Sequence, residues 1–296
     1  RRWRLGLAGL GLTFVSTLPL LAAMAPYPPD AATLHLWHLD EPANADHCTN
    51  AVAGGVTLTA IANGATLGNP ALPGFGAAAS TYDGGPNATL AANPNGVPGR
   101  DAYLGPLPFV NGPGDNALLV CAGPNGAFTL EALVRADFGP TNLAVAPDKS
   151  RAMQIISADA EETLRLFQFR VVWKQVNDPT PRLQFINIGA VESKIQTLET
   201  PLPLSGPNAL AQSNWYHVAV TYNGQPNTAN NLKLYWTRAE PGRTQADRLA
   251  SLWMTNNLPV GSADWGIGNE GRATGGSDGN WVGLIDEVRI SGVARG

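Results

Sequence analysis

Two stretches decide the fold: Asn214-Trp-Tyr-His-Val-Ala-Val-Thr-Tyr222, closed by Asn223-Gly224, and Gly283-Leu-Ile-Asp-Glu-Val-Arg-Ile290, which follows a Gly- and Asn-rich loop. Both mass β-branched and aromatic residues between turn residues, which favours extended chain over helix. Strand side chains alternate faces, so Trp215, His217 and Ala219 share one side. Working outward, Phe128 to Arg135 sets Phe128, Leu130, Ala132 and Val134 against Thr129, Glu131, Leu133 and Arg135. Met153 to Ser157, Leu164 to Trp173 and Arg182 to Ile188 read as the next strands, with turns at Asp159-Ala-Glu-Glu and Asn177-Asp-Pro-Thr-Pro. Residues 215–222 and 231–237 form an expected hairpin, and further strands are expected near 249–254, 257–261 and 281–290.

Upstream the pattern thins. Thr33 to Leu39 is an expected first strand, ending at Asp40-Glu41-Pro42. From 43 to 127 the chain is rich in Ala, Gly, Asn and Pro, with short candidate strands at 56–61, 76–82 and 116–121. Ten to thirteen short strands joined by turns imply an all-β antiparallel β-sandwich. No run of helical period appears beyond residue 25. With 33 Gly, 24 Pro and 14% charged residues, the composition suits tight turns and works against long helices.

The strands at 214–222 and 283–290, in this order and about sixty residues apart, resemble the laminin G-like jelly rolls of the concanavalin A-like superfamily. Phe75 to Gly84, where an aromatic precedes Asp83-Gly84, is similar to that family's second strand. The resemblance implies one jelly-roll domain over residues 31–296 and a non-catalytic recognition role. Carbohydrate is the leading partner, extracellular protein the next, and a purely structural or adhesive module the alternative.

Residues 1–25 hold Arg1, Arg2 and Arg4, no acid, an apolar run from Leu5 to Leu21, and Ala22-Ala23-Met24-Ala25. That pattern is a secretory signal peptide, with a membrane anchor as the alternative, and 26–30 reads as a linker. A secreted or cell-surface location follows, with no membrane contact beyond the export segment. Taking those three arginines from 19 Lys and Arg leaves 16 against 23 Asp and Glu, a formal net charge of −7. An acidic chain without a basic cluster is no nucleic-acid binder. Cys48 and Cys121, an even pair in an exported chain, are an expected disulfide, or else two separate thiols.

The chemistry of catalysis is thinly represented. A retaining glycosidase needs two carboxyl groups roughly 5–5.5 Å apart, which on one strand means acids two residues apart. Asp159 and Glu161 alone have that spacing, and they fall in an expected turn. Asp286 and Glu287 are adjacent, so a regular strand puts them on opposite faces. His35 and His38, three apart, point apart on a strand and make a poor metal pair. A glycoside hydrolase or polysaccharide lyase on this sandwich is the least favoured reading.

Binding candidates are Glu131 and Arg135 on one strand, Gln168 and Arg170 on another, and the loop aromatics Trp265 and Trp281. The resemblance also implies a possible structural Ca2+. Asp286 on the last strand and Asp40 at the end of the first would be its ligands, or Asp83 and Asp278 if the ion sits at the ligand edge. Asp286 held by backbone amides or an arginine, without metal, is the alternative.

Overall fold

The structure is a computed structural model. It describes residues 24–58, 60–62, 65–81, 103–105, 126–138, 150–159, 165–174, 178–188, 195–258, 265–269 and 279–296. Within them the first strands are β1 (Thr33–Trp37), β2 (Ala60–Ala62), β3 (Thr66–Pro70), β4 (Ala77–Ser80) and β5 (Tyr103–Gly105). Longer strands follow: β6 (Phe128–Ala136), β7 (Ser150–Asp159), β8 (Arg165–Lys174), β9 (Asp178–Asn187) and β10 (Gln196–Pro201). The last are β11 (Asn214–Tyr222), β12 (Leu232–Arg238), β13 (Arg248–Leu252), β14 (Trp265–Ile267) and β15 (Gly283–Ser291).

They form two antiparallel sheets. The eight-stranded sheet runs β13-β12-β11-β6-β15-β4-β3, with β1 also paired to β15. The seven-stranded sheet runs β10-β9-β8-β7-β14-β5-β2. The expected antiparallel β-sandwich is the observed one. Its two inner faces meet through Phe128, Leu130, Val134, Tyr216, Val218, Val220 and Trp236 from the first sheet, and Met153, Phe167, Phe169, Val171 and Phe185 from the second. Each fully buried large side chain contributes roughly 1.5–3 kcal/mol by leaving water. Tyr216 and Trp236 stack with ring centroids 4.4 Å apart across the β11–β12 pair.

The last strand is central because of a glycine. Gly283 has φ +139, and a β-carbon there would collide with the Arg135 carbonyl, so close pairing of β15 with β6 requires glycine.

Several local expectations shift. Asn177 to Pro181 reads as a turn, yet β9 begins at Asp178. Its ladder with β8 skips between Lys174↔Asp178 and Val172↔Arg182, so Pro179 and Pro181 sit in an irregularity where no donor is required. β10 escapes the periodicity because it is an edge strand with a single buried position, Leu198. Residues 257 and 258 are not strand. The candidate strand at 116–121 lies outside the described residues, as does residue 121 of the expected disulfide; Cys48 is a buried free thiol.

Candidate functional site

Register lays out the outer surface of the eight-stranded sheet in rows. One row is Ser251–Lys233–Thr221–Thr129–Ser291, read across β13, β12, β11, β6 and β15. The next is Arg248–Tyr235–Ala219–Glu131–Arg289, and the third Thr237–His217–Leu133–Asp286. A fourth places Trp215, Arg135 and Leu284 side by side. This last row is apolar enough to need cover. Phe75, Ala78, Leu133, Trp215 and Leu284 form a second small core, with Met24, Tyr27 and Leu72 packed on it.

At the centre stands Glu131, 5% exposed. Arg289 donates through Nε to its Oε1 at 2.7 Å, and His217 Nε2 lies 3.1 Å from its Oε2. Arg295 Nε is 3.8 Å from the same Oε1. Burial pushes this carboxyl upward, but the hydrogen bonds and positive charge of His217 and Arg289 outweigh it and hold the group at about 2. Tyr27 closes one side: the Arg289 guanidinium lies 4.5 Å from its ring centroid, and its ring meets His217 edge-on at 6.1 Å. The Tyr27 hydroxyl is enclosed with no hydrogen-bond partner, and burial followed by the charge of Glu131 keeps it protonated.

Two recesses open on either side of this cluster and share Glu131, His217, Ala246 and Arg289. One, of about 450 Å³, is bounded by Tyr27, Thr237, Arg238, Arg243 and Gln245. The other, of about 240 Å³, is bounded by Thr129, Thr221, Tyr235 and Arg295. Each offers fixed donors and acceptors beside aromatic or aliphatic surface, the composition of a small-ligand pocket.

Of the other five binding candidates, four do not join them. Arg135 shares the strand of Glu131 but pairs with Asp137 through two bonds of 2.8 and 2.7 Å. Gln168 and Arg170 are on the outer face of the opposite sheet, where Arg170 Nε donates to Gln184 Oε1 at 2.7 Å and Gln184 donates in turn to Glu199. Trp281 is fully buried: its Nε1 donates to the Arg135 carbonyl at 3.0 Å and its ring meets Phe138 edge-on. It is a packing residue. Trp265 opens β14, and its side chain lies outside the described residues. Sequence reading placed Glu131 on the right face but missed Arg289, Tyr27 and Arg238. Arg289 was within reach, since alternation from Ile285 fails only because of a bulge.

That bulge also changes the acids of β15. Between Asp286↔Leu133 and Arg289↔Glu131 the strand carries one extra residue, with Glu287 at φ 51. Ile285 and Val288 enter the core, so Asp286 and Glu287 both turn away from it, contrary to the simple alternation. Glu287 receives the Tyr27 backbone N–H at 2.7 Å and pairs with His38 Nδ1 at 2.7 Å, an arrangement that raises the imidazole. Asp286 is fully buried; its Oδ1 accepts the Glu287 N–H at 2.8 Å and its Oδ2 has no partner. Burial, then the charges of Glu287 and Asp40, push Asp286 up to about 9. Asp40 itself is exposed, and its Oδ1 accepts the Ala77 N–H at 2.9 Å. A cation beside Asp286 Oδ2 would relieve that orphan oxygen, so Asp286 fits such a role. Among the described residues no three His, Cys, Asp or Glu side chains converge, so ligands beyond Asp286 and Asp40 would be backbone carbonyls. Asp83 and Asp278 lie outside the described residues.

The geometry agrees with kinship. The family model of the concanavalin A-like lectin/glucanases superfamily, Laminin_G_3, matches residues 115–296. The chain belongs to this family. No curated protein matches it. Among solved structures it is similar to the Ruminococcus gnavus IT-sialidase CBM40 bound to α2,3 sialyllactose, at 13% identity and TM-score 0.38, over 61% of this chain and 82% of that one. It is also similar to a Trypanosoma rangeli sialidase, at 14% identity and TM-score 0.44, over 90% of this chain and 32% of that one. A third is a putative carbohydrate binding protein from Bacteroides ovatus, at 20% identity and TM-score 0.29, over 58% and 38%. The chain spans only 22% of a bacteriophage CBA120 tailspike protein with which it also aligns.

Proposed function

We propose that this laminin G-like domain is an exported, non-catalytic module that binds carbohydrate on the outer face of its eight-stranded sheet. The observation that carries the reading is the Glu131–Arg289–His217 cluster between two open recesses. A carboxylate held in its ionised form by its hydrogen bonds to Arg289 and His217 presents an acceptor, and the arginine and histidine present polar N–H groups, a set suited to sugar hydroxyls. The same locking argues against proton transfer there, because a general acid needs a raised carboxyl near the working pH. Asp286 is raised, yet it is sealed from both recesses. The possible calcium is assigned a structural part: Asp286, with Asp40 at hand, would hold the turn of β15 to the first strand.

A printed glycan array, probed with and without calcium, tests this. Retention of glycans that is weakened by Arg289→Ala supports the reading. A silent array, or glycan binding indifferent to that substitution, overturns it. Loss of signal with chelator would extend the ion's role from structure to ligand.

A further inference from the structure

Thr129 and Thr221 line the smaller recess, and their row runs on through Lys233 to Ser251 at the sheet edge; two residues further along the chain comes Trp253. Leu252 packs against the core and Met254 is fully buried, so alternation directs Trp253, like Ser251, to the outer face. Trp37, Trp173, Trp215, Trp236 and Trp281 are all buried, whereas Trp253 is 54% exposed. An isolated exposed apolar residue needs no explanation by itself. Trp253 differs in how firmly it is held. Gln196 Nε2 donates to its carbonyl at 2.7 Å, and Gln196 Oε1 accepts from Thr255 N and Oγ1 at 2.9 and 3.1 Å. On the next residue, Asn231 bonds both N–H and carbonyl of Met254 at 2.7 Å. Side chains from β10 and from the β11–β12 loop thus fix the backbone that carries an indole contributing little to the core, which preorganises the position of a contact surface.

We propose that Trp253 is the stacking platform of an extended carbohydrate subsite, and that the ligand is an oligosaccharide lying across the strands. This rests on the recognition role proposed above. One end occupies the recess at Glu131 and Arg289; its hydroxyls follow Thr129, Thr221, Lys233 and Ser251; a distal pyranose lays its C–H face on the indole. The span from β15 to β13 is four strand spacings, roughly 19 Å, too long for one sugar and fitted to several. Aromatic faces against sugar C–H surfaces and polar groups against hydroxyls divide the work of recognition along this track.

The test is a glycan array carrying mono- to hexasaccharides of each represented linkage, probed with the wild-type chain, Trp253→Ala and Trp253→Phe. Because Trp253 is exposed, both variants should melt with the wild type. The expected result is wild-type signal that climbs with chain length. Trp253→Ala should lose it at least tenfold on the longest chains while short-chain hits persist, and Trp253→Phe should fall between. Unchanged length dependence in Trp253→Ala, or no length dependence in the wild type, overturns the platform and leaves the recognition role standing. An array silent to the wild type overturns both.

Discussion

The two outer faces of the sandwich are built from the same strand geometry and end up with different chemistry. On the eight-stranded sheet, Glu131 is gripped by Arg289 and His217 and flanked by open recesses. On the seven-stranded sheet, Arg170, Gln184 and Glu199 pass hydrogen bonds along adjacent strands, and Gln168 and Gln184 are 2% exposed. The first face concentrates charge around one acid; the second spreads it through amides. Concentrated charge leaves fixed, directional groups at an opening, whereas Arg170, Gln184 and Glu199 spend their polar groups on one another. The first is therefore the face proposed for recognition.

The comparison breaks most readily at Glu131. Glu131→Ala leaves Arg289, which is nearly buried, without its partner, and should destabilise the fold by about 3–5 kcal/mol in chemical denaturation. A loss below about 1 kcal/mol would mean the pair is solvated and the two faces are alike.

Next in size is Asp286. In chelator, Asp286→Asn removes a buried carboxyl with an orphan oxygen and should stabilise the chain by roughly 1–3 kcal/mol. With calcium added, the wild type should gain melting temperature and the variant should not. A variant less stable than the wild type in chelator would show that the carboxyl is already satisfied.

The pH profile sharpens the contrast. Glu131 is lowered from 4.5 to about 2, so its stabilising contribution is present above the unfolded value and is lost as pH falls from about 4.5 to about 2. Acid melts should show that loss, and Glu131→Gln should flatten it. Asp286 has the opposite sign: its folded value of about 9 lies above 3.8, so its contribution declines as pH rises between those values.

Smallest is the second face. Gln184→Leu removes a neutral link between Arg170 and Glu199 and should cost about 0.5–1.5 kcal/mol in the same denaturation assay, with glycan binding unchanged. Loss of glycan binding would move the site to this sheet.

Much of this is legible in the sequence. Alternation at Phe128–Arg135 puts Glu131 on the face away from the core, and at Trp215–Tyr222 it groups His217 with Trp215 and Ala219, because a half-buried strand writes its faces into every second residue; that the two faces coincide follows only from the pairing of β6 with β11. Short edge strands such as β10 carry too few apolar positions to announce themselves. Which sheet a strand joins is decided by long-range pairing, so Gln168 and Arg170 were grouped with Glu131 although a whole core separates them. The bulge at Glu287 hides in a sequence that reads as regular strand, and with it hid the position of Arg289. Trp253 gave no signal, since exposure of an indole is fixed by which neighbours fail to cover it.

A recognition domain of the kind proposed holds a glycan and leaves it intact. Affinity electrophoresis through native gels cast with a panel of soluble polysaccharides, then stained for the polysaccharide, reads both halves at once. Retarded wild-type bands, restored to normal mobility by Arg289→Ala, over an evenly stained gel are the predicted result. A cleared zone around the band, or full mobility in every gel, would contradict it.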